Sequence, residues 1–140
     1  MACPYFEPQH VNASPEHLIP RIPPRLPLMD EYNGLCRAGG EPFPVPGEVR
    51  FRCCNHGNSR GICVHFPAGE TRSALRYEIV GRTAAALDLL LLEERDYTPQ
   101  AWQSVRYVLA GELIEPEISD VVKQAQIRAF CRSFLDHFPA

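Results

Sequence analysis

Residues 75–95 read Leu-Arg-Tyr-Glu-Ile-Val-Gly-Arg-Thr-Ala-Ala-Ala-Leu-Asp-Leu-Leu-Leu-Leu-Glu-Glu-Arg, and the spacing of their apolar side chains decides the fold class. Leu75, Tyr77 and Ile79 alternate with Arg76 and Glu78, the pattern of a strand with one buried face. Gly81-Arg82-Thr83 supplies a turn, and Ala85 to Arg95 reads as a second strand with Leu87, Leu89 and Leu91 on one side. Together they predict an antiparallel hairpin. After a loop over Asp96 to Gln100, Trp102 to Leu109 alternates again through Val105, Tyr107 and Leu109, which predicts a third strand. From about Glu117 to Phe138, Ile118, Val121, Val122, Ala125, Ala129, Phe130, Phe134 and Phe138 recur at helical spacing. This helix is expected to cover one face of the sheet.

The first half has another character. Ten of the fourteen prolines lie in the first 46 residues, among them Pro20, Pro23, Pro24 and Pro27 and then Pro42, Pro44 and Pro46. That density argues against long helices and central strands. Yet the segment carries Cys3, Cys36, Tyr5, Phe6, Leu28, Met29, Tyr32 and Leu35, which a free tail would waste. It reads as an ordered wrap without regular structure. Glu48 to Asn55 fits a short helix begun by Pro46-Gly47 and stopped by Gly57. The expected fold is therefore α+β, with a small antiparallel sheet of about three strands and a C-terminal helix, preceded by a Pro-rich irregular cysteine-containing wrap. A chain of 140 residues predicts a single domain, 1–140, with the wrap over 1–70 and the sheet and helix over 71–140.

Fourteen Lys and Arg against seventeen Asp and Glu give a formal charge of -3, which offers no electrostatic grip on nucleic acid or an anionic membrane. The longest apolar run, Leu89 to Leu92, is too short to span a bilayer. The first residues lack the basic start, apolar stretch and cleavage site of a secretory signal. A cytoplasmic location is expected, where structural disulfides are rare and six cysteines point to metal ligation.

Cys3, Cys36, Cys53, Cys54 and Cys63 sit in sequence broken by Pro and Gly, whereas Cys131 belongs to the predicted helix and reads as a small buried hydrophobe. A four-iron cluster on four thiolates is negatively charged and is stabilised by backbone N–H groups and cations around its sulfurs. Arg37, Arg50, Arg52 and Arg60 each lie within three residues of one of the five, and Gly57 and Gly61 allow the intervening backbone to turn closely. Structural zinc is the alternative, but its sites usually present two short knuckles. Here Cys3 to Cys36, Cys36 to Cys54 and Cys54 to Cys63 are 33, 18 and 9 residues apart. The spacing also differs from the ferredoxin run, so the expectation of a [4Fe-4S] cluster rests on the number of thiols and their surroundings.

Ala-Cys-Pro-Tyr-Phe at 2–6, the single Cys36, and Cys-Asn-x-Gly-x-x-Arg-Gly-x-Cys-x-x-Phe-Pro over 54–67 resemble a group of small bacterial proteins of uncharacterised activity. Four spaced cysteines in that group point to an iron–sulfur site. The resemblance implies Cys3, Cys36, Cys54 and Cys63 as ligands and Cys53 as the spare, because the position before the third cysteine of the pattern need not be cysteine.

His56 and His65 are expected to donate hydrogen bonds beside the site rather than to ligate, and His10, His17 and His137 to lie on the surface. Glu93, Glu94, Arg95 and Asp96 read as a solvated strand end more than as a pair of acid/base carboxylates. No phosphate-binding, nucleophile-elbow or zinc-protease motif occurs, and no catalytic residue is assigned. The leading expectation is a small protein that carries electrons or serves as an accessory redox subunit for a protein partner. The rival is an interaction module whose cluster or zinc only fixes the wrap. An enzyme with an open iron position is a third reading, against which four available thiolates argue.

Overall fold

The expected hairpin forms as β4 (Ala74–Arg82) and β5 (Ala86–Arg95), with Leu75 opposite Glu93, Tyr77 opposite Leu91 and Ile79 opposite Leu89. These coordinates are a computed structural model, which describes residues 2–12, 26–57 and 59–139. His17 and the prolines at 20, 23 and 24 lie outside the described residues. β6 (Thr98–Val108) pairs with β5 after a two-residue turn, Asp96-Tyr97, in which both residues have positive φ (49° and 68°). That is the sense of turn that matches strand twist, reached here without the usual glycine, so the loop is shorter than expected and the strand starts earlier. The unexpected fourth strand, β7 (Leu113–Glu115), follows a tight reversal through Gly111 (φ 75°) and Glu112 (φ 51°).

The wrap is where expectation and structure part. It contains a second antiparallel sheet in the order β1-β2-β3, made of β1 (Phe6–Val11), β2 (Tyr32–Cys36) and β3 (Phe43–Pro44). Proline is tolerated because Pro8 and Pro44 sit on the two outer strands, where a missing N–H breaks no central ladder. The central strand, Tyr-Asn-Gly-Leu-Cys, has none. Its Gly34 is obligatory, since a Cβ there would come within 2.0 Å of the Glu7 carbonyl oxygen. The predicted short helix is present as α1 (Gly47–Val49) running into a π-helical turn, Arg50–Asn55. Gly57 closes it with φ 72° and a bond from its N–H to the Cys53 carbonyl (2.9 Å).

The C-terminal helix, α2 (Val121–His137), starts later than the apolar pattern implied because Asp120 caps it, accepting from the N–H groups of Val122 (2.9 Å) and Lys123 (3.1 Å). It packs on β1 and also touches the larger sheet, where Phe130 stacks on Tyr77 with ring centroids 5.6 Å apart. Leu75, Tyr77, Leu87, Leu89, Leu91, Val105 and Tyr107 meet Ile127, Ala129, Phe130 and Cys131 in one buried cluster that continues through Phe6, Leu28 and Tyr32. The Tyr32 hydroxyl donates to the Ala129 carbonyl (2.8 Å), tying β2 to α2. Among the described residues no helix is long and apolar enough to cross a membrane.

Two surface expectations change. Glu94 is not solvated: a bulge between Glu93 and Glu94 turns it inward, 3% exposed, against Arg76 (3.4 Å). Glu93 pairs with Lys123 (2.6 Å) and the exposed Asp96 lies 3.6 Å from Arg60, so these carboxylates each have a cation beside them. His10 is exposed as expected, and His137 meets Asp30 (2.9 Å).

Glu112 gives the fold an acid-sensitive contact. Its carboxylate accepts two N–H groups of Arg132 (2.5 and 2.6 Å) and the Tyr107 hydroxyl (2.8 Å). The Arg132 bonds hold its pKa down at about 2. A carboxyl depressed on folding contributes stability that is complete above its unfolded value, near about 4.3, and is lost as pH falls toward the folded one. Both side chains are more than a third exposed, so solvent screens much of the gain. Glu112→Gln is expected to flatten the decline of the urea midpoint between about pH 5 and pH 2. Identical slopes in variant and wild type would remove Glu112 from the acid response.

Candidate metal centre

Five cysteines from separate parts of the first half line a single pocket: Cys3, Cys36, Cys53, Cys54 and Cys63. Tyr5, Phe6, Ala38 and Phe66 supply apolar walls, Ser59 and His65 add polar groups, and among the described residues no carboxylate lines it. All six cysteines of the chain are free thiols.

Each thiol is placed by a local device. Ala2 forms an antiparallel bridge with Leu75, two N–H···O bonds of 2.7 Å, which lays the N-terminal segment along the edge of β4. Cys3 follows, its N–H bonded to the Cys54 carbonyl (3.0 Å). Its own carbonyl accepts from Gln126 Nε2 (2.8 Å), which donates equally to Phe6. Cys36 ends β2 between Phe6 and Phe43. Cys53 and Cys54 lie on the π-helical turn, a geometry that recurs at functional sites. Cys63 is carried by the turn whose N–H groups at Ile62 and Cys63 both reach the Ser59 carbonyl (3.0 and 2.7 Å), with Gly61 at φ 81°.

Asn55 locks these pieces together. Its side-chain oxygen accepts from the Tyr32 N–H (2.8 Å), while Nδ2 donates to the Tyr32 carbonyl (3.1 Å) and the Arg50 carbonyl (3.0 Å). The amide thus pairs with β2 as a strand residue would, and fixes the turn of Cys53 and Cys54 beside Cys36.

Donors converge on the sulfurs. The Tyr5 and Ala38 amides are directed at the Cys3 and Cys36 thiols, each two residues on, and Ser59 Oγ donates to Cys3 Sγ (3.3 Å). Burial nonetheless pushes Cys3 up to about 11, and neighbouring thiols add to the rise. Cys54 is raised more strongly, by burial and then by Cys3, Cys36, Cys63 and Cys53. Cys36 and Cys53 are raised by burial first and by Cys63 after it. Burial thus favours the protonated form of Cys3, Cys36, Cys53 and Cys54, and a metal that binds them must displace those protons.

The arginines behave otherwise than expected. Arg37 pairs with Glu7, Arg60 with Asp96, Arg52 with Glu48 (3.5 Å), and Arg50 reaches the Val45 carbonyl (3.4 Å). Only Arg52 also acts on a thiol, lowering that of Cys53. Carboxylates and carbonyls compete for guanidinium groups, so nearness in sequence does not make them cluster partners. The histidines divide: His65 meets Phe43 edge to face (centroids 4.9 Å apart) at the pocket, while His56 is turned onto Phe51 (4.8 Å) and its carbonyl (2.8 Å).

Cys131 is far from this chemistry in kind. It is fully buried in the core, and burial alone raises its thiol, to about 12. Cys131→Ala should leave metal content unchanged and cost about 1 kcal/mol in urea unfolding. Loss of metal from that variant would place the helix at the site after all.

The donor set fits a thiophilic group, since sulfur and one imidazole are the ligating atoms offered. Among the described residues no three His, Cys, Asp or Glu side chains are set to hold a metal ion. The free space between the thiols is about that of one water molecule. No protein-family model matches the chain, and neither a curated protein nor a solved structure does.

Proposed function

We propose that the five-thiol pocket holds a [4Fe-4S] cluster on Cys3, Cys36, Cys54 and Cys63, with Cys53 as the spare, and that the protein carries electrons or acts as a small redox subunit in the cytoplasm. The kinship with four-cysteine bacterial iron–sulfur proteins belongs to the same reading. The observation that carries it is the convergence of every cysteine of the first half on one apolar pocket, although they are up to 60 residues apart in sequence.

A bound cluster would take up and release single electrons. The chain's own residues prepare for that charge. The amides of Tyr5 and Ala38 and the hydroxyl of Ser59 donate toward sulfur, which favours the more negative state. Tyr5, Phe6 and Phe66 exclude water from one side. On the other, half-buried Cys63 lies between exposed Ile62 and Val64, which leaves a short path to a protein partner.

A second reading has its own support. The thiols come from the N-terminal segment, β2, the π-helical turn and the Cys63 loop, so a cluster or zinc there would also staple four segments for an interaction module without redox duty. Protein purified without oxygen separates the two. The proposal expects a brown solution absorbing near roughly 400 nm, with iron and acid-labile sulfide in equal amounts. A colourless protein with stoichiometric zinc would overturn it in favour of the staple.

A further inference from the structure

The geometry points to Cys53 and Cys63 as a peroxide-reactive dithiol that closes to a disulfide. Among the described residues they are the two cysteines that line both the inner pocket and a separate outer groove of about 230 Å³. Cys3, Cys36 and Cys54 line the inner pocket alone. The groove opens between Val49 on α1 and the loop of Ile62 and Val64, which are 67% and 91% exposed. A small hydroperoxide can reach both sulfurs from it. Cys63 is the more accessible, whereas Cys53 is 6% exposed and sits behind it.

That order assigns the roles. The Cys63 sulfur attacks one peroxide oxygen, the O–O bond breaks, and the thiol proton leaves with the departing hydroxide as water, giving a sulfenic acid. The Cys53 sulfur then attacks the Cys63 sulfur, the S–O bond breaks, and that hydroxyl leaves with the Cys53 proton as a second water. In sum two thiols lose two electrons and hydrogen peroxide gains them. These are steps of the metal-free thiols, so the disulfide needs no metal in order to form. Its consequence for the centre rests on the reading above: Cys63 in a disulfide is no ligand, and only Cys3, Cys36 and Cys54 remain of the four. A cysteine that is superfluous as a ligand thus has a use in releasing one.

The test uses the full chain, with iron and sulfide counted before treatment. Stoichiometric hydrogen peroxide is added, free thiols are alkylated, and the unreduced tryptic digest is mapped by mass spectrometry. The expected product joins peptide 53–60 to peptide 61–72. It should persist in Cys54→Ser and vanish in Cys53→Ser, where Cys63 stops at sulfenic acid and only a second equivalent of peroxide takes it on to sulfinic acid. Absence of the link in wild type, or its survival in Cys53→Ser, would overturn the assignment. The two proposals fail separately: a link without any cluster sinks the metal reading alone, and a cluster without the link sinks this one alone.

Discussion

Alanine at Cys3, Cys36, Cys54 or Cys63 is expected to abolish cluster binding one substitution at a time, while Cys53→Ala retains it. The fold makes this a clean comparison. Cys3 is held through its backbone by the Ala2–Leu75 bridge, the Cys54 carbonyl and Gln126, so loss of its thiol leaves the segment where it was. Cys36 is likewise fixed by strand pairing on both sides. A loss of iron therefore reports a lost ligand and not a lost fold, which circular dichroism of each variant would verify. Full iron and sulfide in Cys3→Ala or Cys36→Ala would refute the four-ligand set. Cluster loss in Cys53→Ala with retention in Cys54→Ala would exchange those two.

Asn55→Ala is expected to destabilise the chain by about 2–5 kcal/mol. The side chain is 1% exposed and satisfies three backbone groups, the N–H and carbonyl of Tyr32 and the carbonyl of Arg50. Truncation removes all three bonds in a place that water does not reach freely, where a buried group left unsatisfied costs roughly 1–3 kcal/mol. Asn55→Asp supplies the contrast, since it keeps the acceptor for Tyr32 but sets a carboxylate oxygen against two carbonyls. It should be no better than alanine. Urea unfolding of both variants decides the matter, and a change below about 0.5 kcal/mol would show that the bidentate pairing is not what seats the π-helical turn.

The larger sheet was readable because its signal is local: alternation through Leu75, Tyr77 and Ile79 and through Leu87, Leu89 and Leu91 needs no knowledge of partners. The smaller sheet was hidden for the opposite reason. Pro8 is harmless only on an outer strand, and which strand is outer emerges only once β2 has paired on both sides. Among the cysteines, the contrast in setting between Cys131 and the other five was enough to separate the core thiol from the pocket. Asn55 and Gln126 escaped notice. Gln126, one turn from Val122 and one from Phe130, was a polar residue on an apolar helix face, the kind that is buried only with partners to satisfy it. The arginines mislead because charge near a cysteine in sequence need not be charge near it in space, where Glu7, Glu48 and Asp96 compete for it.

Gln126 has a consequence for how the protein is made. It donates to the Cys3 carbonyl across 123 residues and to the Phe6 carbonyl across 120. On a translating ribosome the first thiol emerges long before the helix that steadies it, and all five pocket cysteines are outside the exit tunnel while α2 is still being decoded. A nascent chain stalled before residue 126 should thus present the thiols to metal, oxidant and scavenger with Cys3 unanchored. Only after release can the helix act as the latch that steadies Cys3 and ends the exposed interval.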